Sequence, residues 1–143
     1  MPATTPRLRT LARRLLTLEA AAEPTREATG SAAFAVCERL RQQLSTLAGV
    51  AGFRALLIRS LALAGDEVDW LKAVHVNADG SLGGLDRGQL SDAEIGDGEA
   101  ALVAHLLALL TTFIGEALTL RLLQEAWPEA SLGGPDAELE RKQ

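Results

Sequence analysis

Tyrosine is absent from the 143 residues, and three phenylalanines and two tryptophans are the only aromatic side chains. A chain so poor in rings has little to stack on unpaired bases, and its net charge of −5 opposes a phosphate backbone. Both facts argue against a nucleic-acid binder. Cysteine occurs once, at Cys37. An internal disulfide is therefore excluded and a reducing compartment favoured. The thiol lies on the apolar stripe of a predicted helix, where a small core residue is expected. Histidine is limited to His75 and His105. A zinc or iron site needs several nitrogen or sulfur ligands at short spacing, and those are missing. No glycine-rich phosphate loop follows a strand, and no Ser/His/Asp pattern can be ordered, so no catalytic residue and no cofactor is assigned. The opening "MPATTPRLRTLARRLL" carries arginines where a secretory signal needs an unbroken apolar run, which points to the cytoplasm.

What the chain has in plenty is alanine and leucine, within a hydrophobic content of 48%. Those residues lead the helix-propensity ranking, and strand formers are scarce. The expected fold is all-α, a bundle of about four main helices with a small β-hairpin inserted before the last long one. Residues 1–130 should form a single helical domain and residues 131–143 a flexible tail with nothing to bury. Twelve arginines against two lysines suit a GC-rich bacterial genome.

The first helix is predicted from Pro6 to about Ala22, capped by Thr5, with Leu8, Leu11, Leu15 and Leu18 on its core stripe. A second, from Ser31 or somewhat earlier, carries Phe34, Cys37, Leu40, Leu44 and Leu47 inward and stops near "AGVAG" at Gly49 and Gly52. A third buries Phe53, Leu57, Leu61 and Ala64, and a short turn near "EVDWLKA" sets Trp70 against the core. "AVHVNADGSLGGL" reads as a hairpin, with Val74 and Val76 alternating around His75 and a tight turn at Asp79-Gly80. "LSDAE" starts a short helix capped by Ser91 and interrupted by Gly96 and Gly98. The long helix then runs from about Glu99 to Ala126.

The stretch from His75 to Asp86 resembles part of an EF-hand loop. Asn77, Asp79, Gly80 and Leu82 fall at the third, fifth, sixth and eighth places of that pattern, which implies oxygen ligands for calcium. His75 stands where the first carboxylate belongs, Gly83 offers no side chain at the ninth place, and Asp86 is a methylene shorter than the usual final glutamate. A plain hairpin turn is the favoured reading, and no metal is expected.

Charge is divided unevenly along the chain. Residues 1–63 hold nine arginines and four glutamates, whereas residues 64–143 hold five basic and fifteen acidic residues. Arg7, Arg9, Arg13 and Arg14 make the first helix basic. Such polarity can be satisfied internally or can steer association with another molecule.

The long helix poses the sharpest question, because "LVAHLLALLTTFIGEALTLRLL" is apolar nearly all round. Glu116 interrupts it short of the ~20 apolar residues a membrane span requires, so a buried helix is expected and no span. Leu102, Val103, Leu106, Leu109, Leu110, Phe113, Ile114 and Leu120 form one bulky face, assigned to the core. Ala101, His105, Ala108, Thr112, Gly115, Glu116 and Thr119 form the other, too polar for a plain core and too short of charge for open water. Small residues every seventh position suit close approach of a neighbouring helix, from the same chain, a second copy or another protein. Glu116 is expected to pair with an arginine, with Arg54, Arg59 and Arg121 as candidates. The function that follows is a non-enzymatic interaction or accessory protein that self-associates or binds a partner protein. The alternative is a regulatory domain that responds to a small molecule or ion through the small-residue face.

Overall fold

A computed structural model describes residues 5–22, 32–84 and 90–128. Helix α1 spans Pro6–Ala22 and α2 spans Ala32–Glu67. A 3-10 helix, Asp69–Ala73, leads into strands β1 (His75–Val76) and β2 (Leu82–Gly83). Helices α3 (Asp92–Ile114) and α4 (Glu116–Ala126) complete the order. The two strands pair antiparallel, with His75 opposite Gly83 and Val76 opposite Leu82. The architecture is the expected helical bundle with a small hairpin before α3. The predicted tail at 131–143 lies outside the described residues, as does Ser31.

Local chemistry fixes the helix starts. The Leu8 amide donates to the Thr5 hydroxyl at 3.2 Å, satisfying one otherwise unpaired first-turn donor of α1. Ser91 and Glu94 form a reciprocal capping box at the start of α3. From there α3 runs without interruption through Gly96 and Gly98, contrary to the short, broken helix predicted there. Gly98 is needed for another reason. Its missing β-carbon would stand 2.3 Å from the Trp70 ring, whose indole nitrogen donates to the Glu94 carbonyl at 2.9 Å. Trp70 thus seats the 3-10 helix on α3, and only glycine leaves room for it.

Two glycines bend the bundle where the sequence reading does not place both bends. Gly49 (φ 80, ψ 162) kinks α2, so the separate second and third helices of the sequence reading meet end to end in one bent element. Gly115 (φ 90, ψ 158) ends α3, so the predicted continuous helix to Ala126 is instead α3 followed by α4. Both backbones occupy a region that is essentially reserved for glycine. Each bend resets the helical phase, and residues beside it change sides. Leu47, predicted inward, is 55% exposed, and Phe113, predicted in the core, is 68% exposed.

Helix α3 is the axis of the molecule. Every residue from Ala100 to Leu110 is buried, with α2 and α1 as its principal neighbours. The core gathers Leu15 of α1, Val36, Leu40, Leu44, Phe53 and Leu57 of α2, and Leu102, Leu106, Leu107 and Leu110 of α3. Leu123 and Trp127 close it from α4 and the residue that follows. A helix that is apolar all round is accounted for when it is covered all round.

Candidate functional site

The face predicted for interaction on the long helix is divided by the bend at Gly115. Ala101, His105 and Ala108 are buried within the chain, Thr112, Gly115 and Glu116 are exposed, and Thr119 is buried with its hydroxyl donating to the Gly115 carbonyl at 2.8 Å. From Ala101 to Ala108, therefore, the neighbour belongs to the same chain. Glu116 pairs with Arg7 rather than with Arg54, Arg59 or Arg121, and both side chains of that pair are 53% exposed.

His105 joins a polar array assembled from three helices. Its Nε2 lies 2.9 Å from Glu67 Oε1, and Arg9 Nη2 donates to both Glu67 oxygens at 2.5 Å. A carboxylate can only accept, so in the neutral ring the proton sits on Nε2 and donates to Glu67. Nδ1 is then a buried atom with no hydrogen-bond partner. The Glu67 carboxyl is held below the ordinary carboxylate range, chiefly by the hydrogen bond from Arg9, against the opposing effect of partial burial, with His105 adding to the lowering. A base sealed from solvent cannot take a proton from a substrate in this state. The array locks α1, α2 and α3 together and is structural. The sequence reading finds His105 and Arg9 but not Glu67.

A second array was not singled out in the sequence at all. Glu19 is 2% exposed, pairs with Arg39 of α2, and accepts from Trp127 Nε1 at 2.9 Å. Arg39 also donates to the Ala126 carbonyl at 3.2 Å, and its guanidinium lies 5.7 Å from the Trp127 ring centroid. A buried carboxylate is costly unless paired and hydrogen-bonded, and this one is both. It fastens the end of α4 to α1 and α2.

The basic first helix finds much of its complement within the chain. Arg7 meets Glu116, Arg9 meets Glu67, and Arg13 reaches Asp97 at 3.9 Å. These acids all belong to the acid-rich second part of the sequence, so internal pairing accounts for much of the charge division. Arg14, the fourth member, is partly buried on the same helix.

The loop that resembles an EF-hand spends its oxygens on itself. Asp79 Oδ1 accepts from the Ser81 amide at 3.0 Å and from its hydroxyl at 2.6 Å, while the Asn77 side-chain amide donates to Ser81 Oγ at 3.0 Å. Those bonds, the Ser81 hydroxyl first, hold the Asp79 carboxyl below its ordinary range. Gly80 is buried against Arg41 and Phe53, and Arg54 donates to the Asn77 carbonyl at 3.0 Å. The loop is a turn pressed onto α2 with arginines where a cation would have to approach. Asp86 lies outside the described residues. Among the described residues no three His, Cys, Asp or Glu side chains gather as a metal site. Cys37 is buried, and burial pushes its thiol up to about 12, so it is not a nucleophile at neutral pH.

One surface has no such internal account. The outer side of α2 shows Leu47 and Val50 at the bend and then Ala51, Ala55, Ile58 and Ala62 at helical spacing, all exposed. Ile58 is 44% exposed. By length and composition alone both α2 and α3 are apolar enough to cross a membrane; their most apolar windows are 28% and 67% buried respectively. The sequence signal for this face was present, because no charge lies between Arg41 and Arg54, but inward placement of Leu47 concealed it. Comparison with family models, curated proteins and solved structures finds no match for this chain.

Proposed function

We propose that the protein is a non-enzymatic helical interaction module that self-associates through the outer face of α2. The observation that carries this reading is the incomplete cover of α2: its most apolar window is only 28% buried, and Leu47, Val50 and Ile58 on its outer face are exposed. Burial of apolar surface drives most protein association, at roughly 25 cal/mol per Å² removed from water. Alanines at Ala51, Ala55 and Ala62 permit close helix approach, and Ile58 supplies the bulky contact between them. A closed two-fold pairing would use the same face on both copies.

Several features support a soluble, cytoplasmic interaction role over others. Helix α2 is bent at Gly49 and carries Arg54 and Arg59, which a lipid-spanning helix would have to place in hydrocarbon. Much of the basic charge of α1 is engaged with the chain's own acids, which leaves less of it for nucleic acid. The single buried thiol suits a reducing compartment.

Sedimentation equilibrium of the full chain and of Ile58→Glu tests the reading. The wild type should populate a dimer or larger oligomer at micromolar concentration, and Ile58→Glu should sediment as a monomer with an unchanged helical circular-dichroism spectrum. A wild type that stays monomeric into the millimolar range, or a folded Ile58→Glu of unchanged mass, removes the reading.

A further inference from the structure

Beside the inner edge of that face lies a groove of about 390 Å³, bounded by the last turns of α2, the 3-10 helix and β1. Its floor is apolar: Leu61, Leu71 and Val74 are each at least nine-tenths buried. Ile58 stands at its rim. Two charged residues line it, Asp66 and Lys72. They are not equivalent. Lys72 Nζ is held by Asp69 Oδ1 at 3.1 Å, whereas Asp66 is exposed and its carboxylate makes no ion pair or hydrogen bond among the described residues. His75, also on the lining, contributes a ring without a hydrogen-bond partner among the described residues.

We infer that this groove is a binding site for a small apolar amine. The volume falls within the roughly 300–1,000 Å³ of small-ligand sites, which combine an apolar lining with a few polar groups that set orientation. The charge that remains uncompensated is negative, so the complementary ligand carries a cation. An ammonium donates to the Asp66 carboxylate, a charge-assisted hydrogen bond stronger than a neutral one. A hydrocarbon body of about five to eight carbons covers Leu61 and Ile58. An apolar carboxylate would meet Asp66 with like charge, and Lys72 has its own charge already balanced by Asp69. This inference does not depend on self-association, although a ligand seated against Ile58 and Ala62 would compete with it.

Hexylamine, hexanol and hexanoate, titrated separately into dilute protein and followed by two-dimensional amide NMR, test the assignment. Hexylamine should saturate with a dissociation constant on the order of 1 mM and shift amides around Leu61, Asp66, Lys72 and Val76. Hexanol should bind several-fold more weakly, and hexanoate more weakly still. Asp66→Asn should weaken hexylamine about tenfold and leave hexanol unchanged, while Ile58→Ser should weaken both. Equal binding of the three compounds, an Asp66→Asn variant that binds hexylamine normally, or shifts confined to other surfaces would each overturn it. Absence of saturable binding by hexylamine overturns it outright.

Discussion

Helices α2 and α3 are written in the same alphabet and are used in opposite ways. Both hold a window apolar enough for a membrane, and the window in α2 is the more apolar, yet it is 28% buried against 67% for α3. In α3 the apolar residues are spent inside: Ala100 to Leu110 are all buried, and the one embedded imidazole, His105, is supplied with Glu67 and Arg9. In α2 the inner face builds the core through Phe53, Leu57 and Leu61, while the outer face presents Leu47, Val50 and Ile58 to water. The lesson is that hydrophobicity alone does not locate a surface. It states how much burial a helix calls for, and the fold decides how much of that call is met within the chain.

The comparison breaks first if the interior of α3 tolerates truncation. Leu106→Ala should cost ~2–5 kcal/mol of unfolding free energy in urea, the range for a large buried side chain reduced to alanine. Ile58→Ala, measured as the dilute monomer, should stay within ~0.5 kcal/mol, as surface substitutions do. Similar losses at the two positions would mean that α2 and α3 are not differently covered.

The bends give the next largest effect. Gly49→Ala and Gly115→Ala should each cost ~1–3 kcal/mol, because both positions hold a backbone conformation that a β-carbon opposes. Neither glycine has a neighbouring atom within 4 Å of the added carbon, so the loss would come from conformation and not from crowding. Free tolerance of alanine at Gly49 would straighten α2 and remove the geometry that exposes Leu47.

A smaller effect sharpens how α1 is held to both helices. Because the folded-state pKa of Glu67 is lowered, its contribution is present above the unfolded carboxylate pKa of ~4.3 and is lost as pH falls through the lower folded value. Glu67→Gln should therefore be less stable than wild type at pH 7 and should show a shallower loss of stability below pH ~4.5. With the side chain 39% exposed the difference will be modest. Parallel stability curves for the two proteins would show that the array contributes nothing.

Much of this organisation is legible from residue spacing, and the rest fails for definable reasons. Leu15, Phe53, Leu57, Leu61, Leu102 and Leu106 repeat at helical intervals on uninterrupted segments and are buried as expected. Leu47 and Phe113 repeat just as well and are exposed, because each stands two residues before a glycine bend that no spacing rule registers. Gly115 looks in the sequence like a small residue for close approach, whereas its positive φ ends α3. The pairings of Arg9 with Glu67 and of Glu67 with His105 span 58 and 38 residues and depend on how three helices cross. Glu19 gave no signal, since a lone glutamate on a helix looks like a solvated one until Arg39 and Trp127 are brought to it.

The most direct test of the central claim measures coverage itself. Cys37 is buried with its thiol pushed up to about 12, so it forms a silent background for a cysteine introduced elsewhere. Ala55→Cys places a reporter on the outer face of α2, and Ala117→Cys places a control on the exposed side of α4. If the outer face of α2 is covered by a second copy, the rate of thiol labelling at position 55 falls as protein concentration rises through the association range, while the rate at position 117 does not change. A labelling rate at position 55 that is independent of concentration would contradict it, and the outer face of α2 would be a surface that water alone covers.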